Sequence, residues 1–179
     1  MTNKDAYVIA IDGPSGSGKG SLAIHVAREL NFHLLDSGAI YRLLALKAIR
    51  QEVNLDQENE VLPILDDFNI RFESGAELAV PFLDDEDVSA ELRQEAIGEA
   101  ASRVARHPGV REGLLSLQRS FLKPPGLVAD GRDMGTVVFP KDRFKFFLNE
   151  SIDIRAHRRY KQLINMGLSA NIAHLRSDI

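Results

Sequence analysis

Residues 6–21 read Ala6-Tyr7-Val8-Ile9-Ala10-Ile11-Asp12-Gly13-Pro14-Ser15-Gly16-Ser17-Gly18-Lys19-Gly20-Ser21. The run 6–11 is continuously apolar rather than alternating, which suits a strand buried on both faces of a parallel sheet. Asp12 ends it. From Lys19 to Leu30 the period becomes 3.6, with Leu22, Val26 and Leu30 on one stripe and Ala23 and Ala27 beside it, as an amphipathic helix requires. The unit is therefore strand, glycine loop, helix, and this is the context in which a G-x-x-x-x-G-K loop carries chemical meaning.

Working outward, short apolar strands recur. His33-Leu34-Leu35 ends at Asp36, with Ser37 expected as the N-cap of a helix through about Arg50. Gly126-Leu127-Val128-Ala129 follows a Pro-Pro-Gly break and ends at Asp130. Arg143 to Leu148 leads into a helix from about Ser151. Strands alternating with helices predict a parallel α/β sheet. Between the strands at 33–35 and 126–129, Asn69 to Glu73 and Leu78 to Leu83 flank the turn Ser74-Gly75-Ala76, which predicts an antiparallel hairpin. Helices are expected over 89–106 and 108–122, with Pro108 in a first turn. The acidic run Asp84-Asp85-Glu86-Asp87 reads as a solvated loop.

Composition narrows the classes. In 179 residues, 22 Lys+Arg against 26 Asp+Glu give a net charge of −4, and there is no cysteine. That excludes a disulfide scaffold, a thiolate nucleophile and a thiolate metal site. At this size roughly 70% of the unfolded chain's surface is buried on folding, enough for a real core. No apolar run approaches the ~18 residues of a membrane span, and the start is too short in apolar residues for a signal peptide. A soluble cytosolic protein is the expectation. The mild acidity argues against a general nucleic-acid binder, yet 15 of the 22 basic residues are arginine, the side chain suited to bidentate phosphate recognition.

The loop explains itself chemically. Its glycines let successive N–H groups point inward at an anion, and the following helix N-terminus adds partial positive charge. Lys19 can then reach the β- and γ-phosphates of a nucleoside triphosphate. Gly20 stands where the strict pattern has Ser or Thr, which displaces the hydroxyl to Ser21 and argues against its direct ligation of Mg²⁺. Strand ends at Asp12, Asp36 and Asp130 are expected to face the ligand crevice of a parallel sheet. Asp130 is the candidate for holding Mg²⁺ through its water shell; taken alone it could instead be a loop aspartate capping a turn before Gly131, the lesser of the two readings. Ser37 and Arg42 could be only a helix cap and a surface arginine. Arg155, Arg158 and Arg159 share one helix face, which in isolation is more often a solvated one. The five histidines show no metal-ligand spacing.

The loop 13–21, the segment Leu34-Leu35-Asp36-Ser37-Gly38-Ala39-Ile40-Tyr41-Arg42, the segment 129–140 beginning Ala129-Asp130-Gly131-Arg132-Asp133, and Arg155-Ala156-His157-Arg158-Arg159 together resemble the bacterial type of cytidylate kinase, across nearly the whole chain. The resemblance implies a P-loop kinase core with a five-stranded parallel sheet (1–59 and 123–150), an α+β insertion that binds the nucleoside monophosphate (60–122) and a helical lid (151–179). It also implies continuation past Ile179 through further lid sequence, a fifth strand and a final helix. The implied reaction is γ-phosphoryl transfer from ATP, with Mg²⁺, to CMP or dCMP. Residues Gly13 to Ser21 would hold ATP. Ser37, Arg42 and Arg132 would hold the acceptor phosphate, and Ser102, Arg111 and Asp133 would read the cytosine ring. Lys19, Arg132 and the lid arginines Arg158 and Arg159 would neutralise the transferred charge.

The expected partners are these two nucleotides only, with no nucleic acid or membrane, and the expected form is a monomer. Two other readings are a P-loop kinase for a different acceptor (UMP, AMP or a small metabolite) and a non-catalytic nucleotide switch. Asp133 discriminates among acceptors, because a carboxylate facing the N4 amino group of cytosine repels the carbonyl that uracil places there.

Overall fold

The computed structural model describes residues 6–73, 80–165 and 171–178. In chain order the elements are β1 (Tyr7–Asp12), α1 (Lys19–Leu30), β2 (His33–Asp36), α2 (Ser37–Arg50), α3 (Glu58–Val61), a 3-10 stretch (Leu62–Asp67), β3 (Ile70–Glu73), β4 (Val80–Leu83) and β5 (Glu86–Asp87). They continue with α4 (Ser89–Leu92), α5 (Glu95–Val104), α6 (Pro108–Ser120), β6 (Gly126–Gly131), a π-helical turn (Met134–Val138), β7 (Phe144–Phe147), α7 (Ile152–Asn165) and α8 (Ile172–Asp178). The chain divides into two compact units, one of Met1–Leu34 with Leu122–Ile179, the other of Leu35–Phe121. The second unit thus takes in α2 as well as residues 60–121. No helix among the described residues is long and apolar enough to cross a membrane.

The first unit is built on a sheet of order β2-β6-β1-β7. Strand β1 runs parallel to β6, with Ala10 opposite Ala129 and Asp12 opposite Gly131, and parallel to β7, with Ile11 opposite Phe146. Every residue of β6 is buried, as a central strand of a parallel sheet demands. Helix α1 covers this sheet at Ile11 and Val128 through Ala23 and Ala27. The stripe expected to face inward is displaced: Leu22 and Leu30 are exposed, and the alanines are the buried residues. The preceding loop fixes the rotation of α1, and small side chains let it lie close on the sheet.

In the second unit, α2 is buried from Leu43 to Ala48. Leu43 and Leu46 pack with Leu83, Val88, Leu92 and Ile97. Strands β3 and β4 are antiparallel, as expected; the turn 74–76 predicted between them lies outside the described residues. The acidic run is not a loop. Asp84 and Asp85 both take positive φ (48° and 68°), as a two-residue turn of type I′ requires, and Glu86–Asp87 then pair back on β4 as β5. Its charges are engaged: Lys47, 4% exposed, meets the carboxylates of Asp67 and Asp84, each at 3.2 Å, and Arg50 meets Glu86 at 2.7 Å. A buried ammonium is tolerated only with such partners. The helix expected over 89–106 is interrupted at 93–94, which leaves the last carbonyls of α4 in need of donors.

Candidate active site

The phosphate loop follows β1 directly. A Cβ at Gly13 would stand 2.2 Å from the carbonyl oxygen of Leu148, so only glycine fits beside the end of β7. Gly16 and Gly18 lie in the left-handed region (φ +75° and +91°). Gly18 is the N-cap of α1 and offers no side-chain cap, so the first N–H groups of that helix are left for a ligand to satisfy. Inside the loop, the Ser17 hydroxyl is buried and has no hydrogen-bond partner among the described residues. Lys19 folds over the loop: its Nζ donates to Pro14 O at 3.4 Å and lies 3.9 Å from Asp130 Oδ1.

Gly20 has a structural reason. A Cβ there would sit 3.2 Å from Asp130 Oδ2, so the carboxylate occupies the space beside the helix start that a side chain at position 20 would fill. Asp130 is 8% exposed at the end of β6. No cluster of three metal-ligating side chains exists among the described residues. One hard carboxylate next to a phosphate cradle fits Mg²⁺, which keeps several waters and takes its other ligands from substrate phosphates.

The other two strand-end aspartates are engaged by backbone N–H groups. Both oxygens of Asp12 accept backbone N–H groups at the start of the π-helical turn, Met134 at 2.8 Å and Gly135 at 2.9 Å. Asp36 Oδ1 accepts the Ala39 N–H at 3.0 Å, so Asp36 is the N-cap of α2, and Ser37, expected in that role, is its buried first residue. In both cases the orphan N–H groups of a helical start capture a nearby carboxylate. Arg132 and Asp133 lie between β6 and the π-helical turn; Arg132 is exposed and Asp133 half-buried. The Asp133 carbonyl accepts the N–H groups of Val137 at 2.8 Å and Val138 at 3.2 Å.

Helix α7 brings two of its arginines to the loop. Arg158 Nη1 donates to Ser17 O at 2.7 Å and Gly16 O at 3.4 Å, and Arg155, 7% exposed, donates to Ser15 O at 3.3 Å. Arg159 is half-buried on the same helix. Of the remaining loop residues, Ser15 and Ser21 are exposed.

In the second unit, two expected residues, Arg42 and Ser102, meet around two backbone groups. Arg42 Nη1 donates to Leu92 O at 2.7 Å, taking up a carbonyl freed by the break between α4 and α5. Its guanidinium lies against Gly98, where a Cβ would come within 3.1 Å of Nη2. Ser102 Oγ donates to Gly98 O at 3.1 Å. Arg111 is exposed on α6.

A family model for cytidylate kinase matches residues 9–179. The chain belongs to the cytidylate kinase family. A cytidylate kinase of Aeromonas hydrophila is 51% identical over 174 residues, covering 97% of this chain and 76% of the relative. Those of Photobacterium profundum and Vibrio parahaemolyticus are each 52% identical, covering 97% and 96% of this chain and 76% of their own length. The crystal structure of TT1252 from Thermus thermophilus aligns over 97% of this chain and 78% of its own at a TM-score of 0.44 and 20% identity. Three features of the site are not legible in the sequence pattern: Asp12 as a backbone clamp, Arg155 as a loop contact, and Gly98 as the seat of Arg42. Only Gly98 left a sequence signal, because a lone glycine inside a helical pattern costs about 1 kcal/mol and asks for a packing reason.

Proposed function

We propose that this chain transfers the γ-phosphate of ATP to CMP or dCMP in the cytoplasm, giving ADP and CDP or dCDP. Membership of the cytidylate kinase family supports the reaction. The observation that carries it locally is the glycine loop after β1, with Lys19 and Asp130 side by side at 3.9 Å. Residues Gly13 to Ser21 hold the phosphates of ATP, through backbone N–H groups and the Lys19 ammonium. Ser37, Arg42 and Arg132 hold the acceptor's phosphate. Ser102 and Arg111 donate to the ring acceptors of cytosine, and Asp133 accepts from its N4 amino group. The stretch 60–122 serves as the acceptor-binding insertion, and 151–179 as the lid.

The attacking oxygen of the acceptor phosphate is already ionised, so no general base is required. Catalysis consists of positioning and of neutralising charge on the transferred group. Lys19, Arg132 and Arg159 of α7 supply cationic charge. Asp130 holds Mg²⁺ through its water shell, and the ion supplies further neutralisation of the ATP phosphates. The test is an acceptor panel of CMP, dCMP, UMP and AMP with ATP and Mg²⁺, followed by ADP release. CMP and dCMP should lead by at least tenfold. A panel led by AMP or UMP, or nucleotide binding without ADP release, overturns the reading.

A further inference from the structure

We infer that Arg158 is a positioning residue that fixes the phosphate loop in its anion-binding form from outside, by holding the carbonyls of Ser17 and Gly16. The inference rests on the kinase reading above and assigns Arg158 a different role from its neighbour Arg159 on α7.

In an anion cradle built from backbone, N–H groups converge on the ligand only while the carbonyls of the same peptides point away. Here three consecutive carbonyls, those of Ser15, Gly16 and Ser17, accept from guanidinium groups of α7, the shortest bond being Arg158 Nη1 to Ser17 O at 2.7 Å. The peptides concerned flank Gly16 and Gly18, both at positive φ. Glycine takes either sign of φ with similar ease, so the chain itself does little to stop the Ser17–Gly18 peptide from turning over. Turning it would aim the Ser17 carbonyl, a partial negative charge, toward the bound phosphates. A bond from a charged donor to that carbonyl opposes the turn.

The surroundings are shaped for this contact. A Cβ on Gly18 would come within 3.2 Å of Arg158 Nη1, and one on Gly16 within 3.3 Å of Arg155 Cβ, so the glycines also let α7 approach the loop. Glu150 Oε2 lies 3.5 Å from Arg158 Nη2 and steadies the far side of the guanidinium. With its Nη1 committed to loop carbonyls, Arg158 acts on phosphate through the loop rather than by touching it.

A residue that sets the fraction of loops in the binding-competent form weakens every ligand of that form by the same factor. A residue that touches the transferred group affects ATP and turnover, and spares ADP. The experiment measures equilibrium binding of ADP and of ATP, without CMP, to the parent, Arg158→Ala and Arg158→Lys, with steady-state rates alongside. Losing one charge-assisted bond predicts that Arg158→Ala weakens ADP and ATP equally, by roughly tenfold to a hundredfold. KM for ATP should rise in step while kcat falls less than about fivefold. Arg158→Lys, which keeps one cationic donor for Ser17 O, should recover most of the binding. ADP affinity unchanged in Arg158→Ala, or a loss confined to kcat, overturns the inference, as does a lysine variant no better than alanine. Since ADP binding is read without an acceptor, a parent protein that fails to phosphorylate CMP would sink the functional reading and leave this one standing.

Discussion

The carboxylate of Asp12 accepts the backbone N–H of Met134 at 2.8 Å, and its second oxygen takes the next N–H, that of Gly135, at 2.9 Å. The last residue of β1 therefore fixes the start of the π-helical turn that follows β6, and Arg132 and Asp133 are the residues just before that turn. Asp12 is only 6% exposed, so each bond is made away from water, where an unmatched donor is costly. Asp12→Asn keeps the shape but turns an amide donor toward a backbone donor. The expected loss is about 1 to 3 kcal/mol, at about 2 to 4 °C of Tm per kcal/mol for a chain of this size. KM for the acceptor should rise as well, since Arg132 and Asp133 lose their anchor. A thermal melt together with an acceptor titration checks both, and an unchanged Tm would show that the clamp carries no stability.

Lys19→Ala should abolish transfer without unfolding the protein. Among the described residues, the Lys19 ammonium meets Pro14 O and the neighbourhood of Asp130, so its removal deletes a charge at the loop mouth and opens no hole in the core. Far-UV circular dichroism should superimpose on that of the parent while ADP release disappears. Activity within tenfold of the parent would sink the assignment of this loop to ATP phosphates.

The sheet and the phosphate loop were legible because their signals are local. A six-residue apolar run followed by four glycines and a lysine admits few structures, and two short apolar runs either side of Ser74-Gly75-Ala76 predict the antiparallel pairing found for β3 and β4. What stayed hidden depends on partners far along the chain. The inward face of α1 is set by the loop that holds its first turn, so the small residues Ala23 and Ala27 face the sheet in place of Leu22 and Leu30. Asp12 finds its partners more than 120 residues away, and periodicity carries no trace of that. The acidic run 84–87 is exposed, as its charge predicts, but its turn and the pairing of its charges with Lys47 and Arg50 depend on α2, far back in the chain.

Gly98 should be a switch on acceptor affinity without being a ligand. Alanine favours helix over glycine by about 1 kcal/mol, which offsets the crowding of Arg42, so Gly98→Ala in α5 should leave Tm nearly unchanged. The added Cβ would come within 3.1 Å of Arg42 Nη2, and Arg42 cannot retreat freely while its Nη1 holds Leu92 O at 2.7 Å. KM for CMP is expected to rise roughly threefold to tenfold, about 0.7 to 1.4 kcal/mol, with KM for ATP unaffected. Steady-state titration of each substrate in turn separates the two. If KM for CMP does not move, the seating of Arg42 against Gly98 has no bearing on the acceptor.

Asp133→Asn should erode the preference for CMP over UMP. The exchange is isosteric, and the backbone carbonyl of residue 133 still receives the Val137 N–H at 2.8 Å, so the local turn persists and only the carboxylate is lost. A carboxylate can only accept, which suits the N4 amino group of cytosine and opposes the O4 carbonyl of uracil. An amide can turn either its oxygen or its NH₂ toward position 4 of the ring, and so tolerates both bases. The bond to CMP keeps an acceptor but loses its charge, a difference of about 1 to 1.5 kcal/mol, or roughly one decade in kcat/KM, while kcat/KM for UMP should hold or rise. Initial rates with both acceptors at saturating ATP give the ratio directly. A CMP/UMP ratio identical to the parent's would mean that Asp133 does not face the base.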